Sequence, residues 1–172
     1  MPGCCRRVRR AAPAVKRPRP EAPGDPGRVR AAALGLLARR DHFSVELGRK
    51  LIERGFDPAV TAETLAALAA ERLLDDARCL ERFVAYRAER GQGPVRIALD
   101  LKTQGAPAEL IAPALEAGAD WPARAREVRR RKFGAAAPAN WTEKARQARF
   151  LQYRGFSSDD IRAAIGAELE LD

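Results

Sequence analysis

The protein has 172 residues, 32 lysines and arginines against 23 aspartates and glutamates, and a net charge of +9. The length admits one ordinary domain or three small repeats, and the dominance of Ala, Leu, Arg and Glu favours helix over strand. The longest apolar run, Ala31 to Ala38, is far short of the roughly 18 residues of a membrane span, and the N-terminus lacks the apolar stretch of a secretory signal, so a cytoplasmic protein without a membrane partner is expected.

Residues 1–27 are rich in Pro, Arg, Ala and Gly without apolar periodicity, so they are expected to be a disordered basic tail. A first repeat is expected over 28–74. Val29, Ala32, Ala33, Leu36 and Leu37 share one side of its opening helix. Its central helix, Ser44 to Arg54, is expected to be capped by the Ser44 hydroxyl, with Glu46 in the first turn and Leu47 and Leu51 on one face. Gly55 should then enter the left-handed conformation and let Phe56 fold back. Asp57-Pro58 begins a third helix with Leu65, Leu68 and Ala69 inward.

Asp75-Asp76 opens a second repeat over 75–118. Leu80, Phe83 and Val84 form its first stripe, Gly91-Gln92-Gly93-Pro94 breaks that helix, and Ile97, Ala98 and Leu101 face inward on the next. Pro107 opens a helix carrying Ile111 and Leu115, which Gly118 closes. The third repeat, 119–172, begins at the capping residue Asp120 and the face of Trp121, Ala125 and Val128. A turn over 134–138 follows. Asn140 with Glu143 has capping-box spacing. Ala148 and Leu151 face inward, and Ser157 caps a last helix with Asp159 and Asp160 in its first turn and Ile161 and Ile165 inward.

The units recur at a fixed spacing. Leu51, Leu101 and Leu151 stand fifty residues apart, as do Gly55, Gly105 and Gly155, and Leu65, Leu115 and Ile165. Such a period marks a repeat array whose units cannot bury their own apolar faces alone. The expected fold is all-α: three tandem three-helix repeats in an elongated, curved array.

Ser44-x-x-Leu47-x-x-x-Leu51-x-x-x-Gly55-Phe56, Leu74-Asp75-Asp76, Gly91-x-Gly93 and Arg149-Phe150-Leu151-x-x-Arg154-Gly155-Phe156 resemble, in order and spacing, the RecX family over about residues 29–168. Cys79-Leu80 and Gln104 depart from the usual Phe-Ala and Lys. The resemblance implies a cytoplasmic bacterial regulator built from three-helix repeats. It implies binding to the RecA recombinase filament on single-stranded DNA and suppression of its ATPase, strand-exchange and co-protease activities, within homologous recombination, DNA repair and the SOS response. A monomer without cofactors is expected.

The residues themselves exclude most chemistry. Cys4 and Cys5 are adjacent, Cys79 falls in a predicted helix, and His42 is the only histidine, so neither a metal site nor a disulfide framework is expected. His42 has no catalytic constellation around it and is expected at the surface or half-buried. Asp75-Asp76 and Asp159-Asp160 fall at helix starts, where carboxylates satisfy free N–H groups. Nothing resembles a phosphate loop or a nucleophile elbow, so no enzymatic activity is expected.

Charge supplies the functional signal. Residues 1–28 carry +6, 29–120 carry −1, 121–154 carry +8 and 155–172 carry −4. Arg124, Arg126, Arg129, Arg130, Arg131 and Lys132 are expected to cover the helix surface left by Trp121, Ala125 and Val128. Lys144, Arg146, Arg149 and Arg154 add to them, and only Glu127 and Glu143 offset the ten cations. A surface so unbalanced points to a polyanion or an acidic protein face. A helical protein acting directly on nucleic acid is the alternative to the RecA filament, and salt dependence separates the two.

Overall fold

A computed structural model of the protein describes residues 23–166, and among these the chain forms nine helices and no strand. Acidic caps fix most helix starts. Asp25, Asp57, Asp75 and Asp120 each accept a backbone N–H from the first turn of the helix that follows: α1 (Pro26–Leu37), α3 (Pro58–Ala70), α4 (Asp76–Glu89) and α7 (Trp121–Phe133). Asn140 caps α8 (Trp141–Arg154), and Ser157 with Asp160 forms a complete capping box on α9 (Ser158–Ile165). At α8 the box is displaced, because Glu143 accepts from the N–H of Ala139 rather than that of Asn140. The helix α6 (Ala108–Gly118) follows Pro107, as expected.

The array begins earlier than expected. The segment anticipated as tail ends in helix, since α1 starts at Pro26. The N–H of Asp57 also bonds the carbonyl of Pro23 at 2.9 Å. The rest of that segment, residues 1–22, and residues 167–172 lie outside the described part.

Each set of three helices packs chiefly on itself. Val29, Ala33, Leu36, Leu47, Leu51, Leu68 and Leu74 make the first core. Cys79, Leu80, Val84, Ile97, Leu101, Ala106 and Ile111 make the second, joined by Phe43 from the first set. Ala125, Leu151, Phe156, Ile161, Ala164 and Ile165 make the third. Trp121 packs against both the second and third cores, and its indole N–H donates to the Leu115 carbonyl at 2.7 Å.

The central helices α2 (Ser44–Glu53) and α5 (Pro94–Gln104) have no side-chain cap of their own. Their neighbours supply it. Phe43, not Ser44, is the N-cap of α2, because the Ser44 hydroxyl donates outward to Asp76 at 2.5 Å while Asp76 also accepts the Ser44 N–H at 2.8 Å. At α5 the N–H groups of Gly93 and Val95 donate to the carbonyls of Arg154 and Gly155, at 2.9 and 3.0 Å. The end of α8 therefore meets the start of α5. The end of α5 likewise meets the start of α2, where a Cβ on Gly105 would lie 3.1 Å from Val45 Cγ1.

Gly55 and Gly155 are left-handed as expected, with φ of 94° and 87°, and Gly105 of the same period shares the conformation, with φ of 80°. At Gly155 space as well as conformation requires glycine. A Cβ there would sit 2.3 Å from Arg96 Cβ and 2.7 Å from Arg96 N. The fifty-residue glycine period thus marks helix ends, and in the second and third sets those ends are also joints between sets.

Candidate functional site

The ten basic side chains of the third set do not form one uniform surface. Arg126 and Arg130 stand one turn apart on the exposed side of α7, and neither has a side-chain partner among the described residues. Lys132 and Arg149 are exposed and equally unpaired, and half-buried Lys144 is unpaired too. Arg124 and Arg131 share Glu127, at 3.1 and 2.5 Å. Arg146 and Arg154 lie over aromatic faces, 5.2 Å from the Phe133 centroid and 5.4 Å from that of Phe150. Those two rings meet edge to face at 5.3 Å.

Arg129 departs from expectation. It is only 9% exposed and turns inward. Its guanidinium donates to the carbonyls of Ala136 and Ala135, at 3.0 and 3.3 Å, and to Gln147 Oε1 at 3.2 Å. The repeat period explains the burial. Val29 stands one hundred residues before Arg129 and Cys79 fifty before it, and Leu47 and Ile97 stand in the same relation to Gln147. A hydrogen-bonded Arg–Gln pair occupies core positions that are apolar in the first two sets, and it ties the α7–α8 turn to the helices. Arg129 is structural, and the period was the signal that could have found it.

Two exposed aromatics on α8 were passed over in the sequence. Trp141 is 72% exposed and Tyr153 is 83% exposed. Arg146, Arg149 and Tyr153 follow at three- and four-residue spacing, so they share a face. No apolar periodicity flags either ring, because neither belongs to the inward stripe.

His42 also departs from expectation. It is 3% exposed, and its Nδ1 donates to Glu46 Oε2 at 3.0 Å, since a carboxylate can only accept. Arg40 and Lys50 complete the shell of Glu46 at 2.5 and 2.8 Å. Burial alone would raise the Glu46 carboxyl, but hydrogen bonds from Lys50, Arg40 and His42 hold it down at about 2. Burial, aided by the positive charges of Arg40 and Lys50, lowers His42 below its ordinary range despite the Glu46 hydrogen bond. The Cys79 thiol is pushed up to about 11 by burial and by the charges of Asp41, Asp76 and Glu46, which makes it a poor nucleophile. The Glu46 cluster ties the loop before α2 to α2 within the first set. Among the described residues no three His, Cys, Asp or Glu side chains are placed to hold a metal, and no helix is long and apolar enough to cross a membrane.

Three family models match in tandem, in the order of the helix sets. The first three-helix domain of RecX covers residues 30–68, the second 75–115 and the third 120–165. The chain belongs to the RecX family. The regulatory protein RecX of Halorhodospira halophila is 54% identical over 145 residues, covering 84% of this chain and 90% of that protein. The regulatory protein RecX of Pseudomonas savastanoi pv. phaseolicola is 47% identical over 137 residues, covering 79% of this chain and 88% of that protein. The crystal structure of RecX from Lactobacillus salivarius shares the fold, with a TM-score of 0.73 at 20% identity over 82% of this chain and 94% of that one. RecX membership makes the protein a regulatory protein built from three RecX three-helix domains.

Proposed function

We propose that the protein is a negative modulator of a RecA recombinase, acting in the cytoplasm as a monomer. It binds the RecA filament on single-stranded DNA and suppresses its ATPase, strand-exchange and co-protease activities. The observation that carries this reading is the set of cations on the third domain that no acid among the described residues neutralises: Arg126, Arg130, Lys132, Lys144 and Arg149. Arg124, Arg131, Arg146 and Arg154 surround them as secondary contacts, and Arg129 supports the surface from beneath.

Changing Arg126, Arg130 and Arg149 together to Glu tests it. Exposed charges contribute little to folding, under about 1 kcal/mol each, so the helical circular-dichroism signal and Tm should stay near wild type. Each lost charge-assisted contact is worth roughly 1.5 kcal/mol, so inhibition of RecA ATPase should weaken at least about tenfold. A folded variant that inhibits like wild type removes the third domain from the interface.

A second reading, direct contact with single-stranded nucleic acid, is favoured by exposed Tyr153 on the face of Arg146 and Arg149, with exposed Trp141 at the start of the same helix. Exposed rings interleaved with arginines suit stacked bases on a basic track. Tyr153→Ala would then weaken binding to bare single-stranded DNA about fivefold or more, since a stacked base is worth roughly 1–3 kcal/mol. Under the filament reading the same change leaves bare-DNA binding unaltered, which fluorescence anisotropy decides.

A further inference from the structure

The two joints between helix sets contain related clefts. Arg40, Asp41, Arg82 and Gln104 line the first, of about 570 Å³. Arg90, Gly91, Lys132 and Arg154, each fifty residues further on, line the second, of about 440 Å³. The clefts thus occupy the same place in the repeat, and their residues can be compared position by position.

The first cleft is internally neutralised. Arg40 meets Glu46 at 2.5 Å, Arg82 meets Asp41 at 3.0 Å and Arg87 meets Asp100 at 3.5 Å. In the second cleft those acids are gone. Asp41 is replaced by Gly91, Glu46 by Arg96 and Asp100 by Phe150, while Gln104 becomes Arg154 and Glu81, outside the first cleft, becomes Arg131. Two changes run the other way: Arg87 of the first cleft becomes Ala137, and Arg39 becomes Glu89, which is the only acid lining the second cleft. Nor can a side chain be supplied at position 91, where φ is +75° and a Cβ would lie 2.9 Å from Val128 Cγ2.

Four cations therefore converge on the second cleft with little to balance them. Lys132 has no partner among the described residues. Arg90 is braced by Tyr86, whose hydroxyl accepts from it at 2.8 Å and whose ring lies 5.2 Å below it. Arg154 rests over Phe150, with an amino group 3.5 Å from the Arg90 carbonyl. Arg131 is bonded to Glu127 alone. Braced cations around a concave opening suit a compact multivalent anion.

We propose that this cleft is a phosphate-binding site that clamps the second and third helix sets together. Arg90 reaches the anion from the second set; Arg131, Lys132 and Arg154 reach it from the third. The phosphates come either from a nucleic-acid backbone or from a free oligophosphate. The cleft shares Lys132, Arg131 and Arg154 with the surface of the RecA reading, but that reading is tested at Arg126, Arg130 and Arg149 outside the cleft, so the two can fail separately.

The test is calorimetric titration of the full chain at low salt with two probes, inorganic tripolyphosphate and an oligothymidylate of about 15 nucleotides. Arg131→Glu with Arg154→Gln installs the residues that stand fifty places earlier, at 81 and 104, and should weaken binding at least about tenfold, the combined effect of two lost charge-assisted contacts. Exposed Arg90→Gln, which carries the test should the double variant fail to fold, should weaken it at least about threefold. Arg82→Gln in the first cleft serves as control and should change binding by less than about twofold. Loss confined to the oligothymidylate identifies backbone phosphate, and loss with tripolyphosphate identifies a free oligophosphate. The site is overturned if neither probe binds wild type, if Arg90→Gln and the double variant bind both probes like wild type, or if Arg82→Gln loses as much as Arg90→Gln. Each of these results leaves the RecA ATPase assay untouched.

Discussion

Arg129 carries a charge to a position that the first two sets fill with Val29 and Cys79. Its amino groups reach three acceptors, but its Nε has no partner, so the site is well but not completely satisfied. Removing it strands two turn carbonyls and Gln147. Arg129→Ala should therefore destabilise the protein by about 2–4 kcal/mol, against less than about 0.5 kcal/mol for exposed Arg130→Ala, and thermal melts of the two variants make the comparison. Similar melts of wild type should reveal Glu46. Its carboxyl ionises near 2 in the fold against 4.5 ordinarily, so the stability it confers is present above 4.5 and lost as pH falls toward 2. The full contribution is about 3 kcal/mol. His42 acts in the same direction from a higher pH. Its folded value lies below 6.5, so acidification through 6.5 protonates the unfolded chain first and costs stability. Tm should fall in two stages on acidification. His42→Gln should remove the upper stage and Glu46→Gln the lower, and a flat Tm from pH 7 to 3 would exclude both assignments.

At the scale of the helix, much was legible in the sequence because the signals are local. Asp57-Pro58, Asp120 and Ser157 each cap within three residues, and the structure has those caps. The α2 start was legible, but its partner was not, because Asp76 lies 32 residues from Ser44. The glycine period showed that Gly155 ends a helix; it did not show that the Arg96 backbone presses against it. These two demands can be separated by experiment. Gly166 also ends a helix in the left-handed conformation, with φ 66° and ψ 43°, but among the described residues nothing lies within 4 Å of a Cβ there, so Gly166→Ala should cost only about 1 kcal/mol of backbone strain. Gly155→Ala meets the same strain plus a 2.3 Å approach to Arg96 Cβ, and should cost at least about 2 kcal/mol more. Equal melting temperatures for the two variants would mean that the joint yields without resistance.

Across the whole molecule, stability is divided among three cores, and communication depends on the two joints between them. Arrays of this kind behave as units coupled to their nearest neighbours, so cooperativity is a property of the interfaces. The charge pattern was legible at this scale, since the excess of cations over residues 121–154 needs only counting. Which cations are free was not, because Glu127 pairing and Arg129 burial depend on packing. The first joint offers the cleanest measurement. Asp75 caps its own helix, accepting from Arg78 N–H at 2.9 Å, whereas its neighbour Asp76 reaches across to Ser44 with two bonds. Adjacent carboxylates thus serve different scales. Asp75→Ala should cost about 1 kcal/mol, as cap removals do, with little effect beyond α4. Asp76→Ala leaves the Ser44 N–H and hydroxyl unpartnered and should cost about 2–3 kcal/mol. A double-mutant cycle with Ser44→Ala should return a coupling of about 1 kcal/mol, because the Ser44 hydroxyl and Asp76 act on each other directly. Hydrogen exchange should then show α1 to α3 opening more readily than α7 to α9 in Asp76→Ala, as the first set loosens from the others. If exchange instead accelerates equally in all three sets, the array unfolds as one unit and the Ser44–Asp76 bonds do not set its cooperativity.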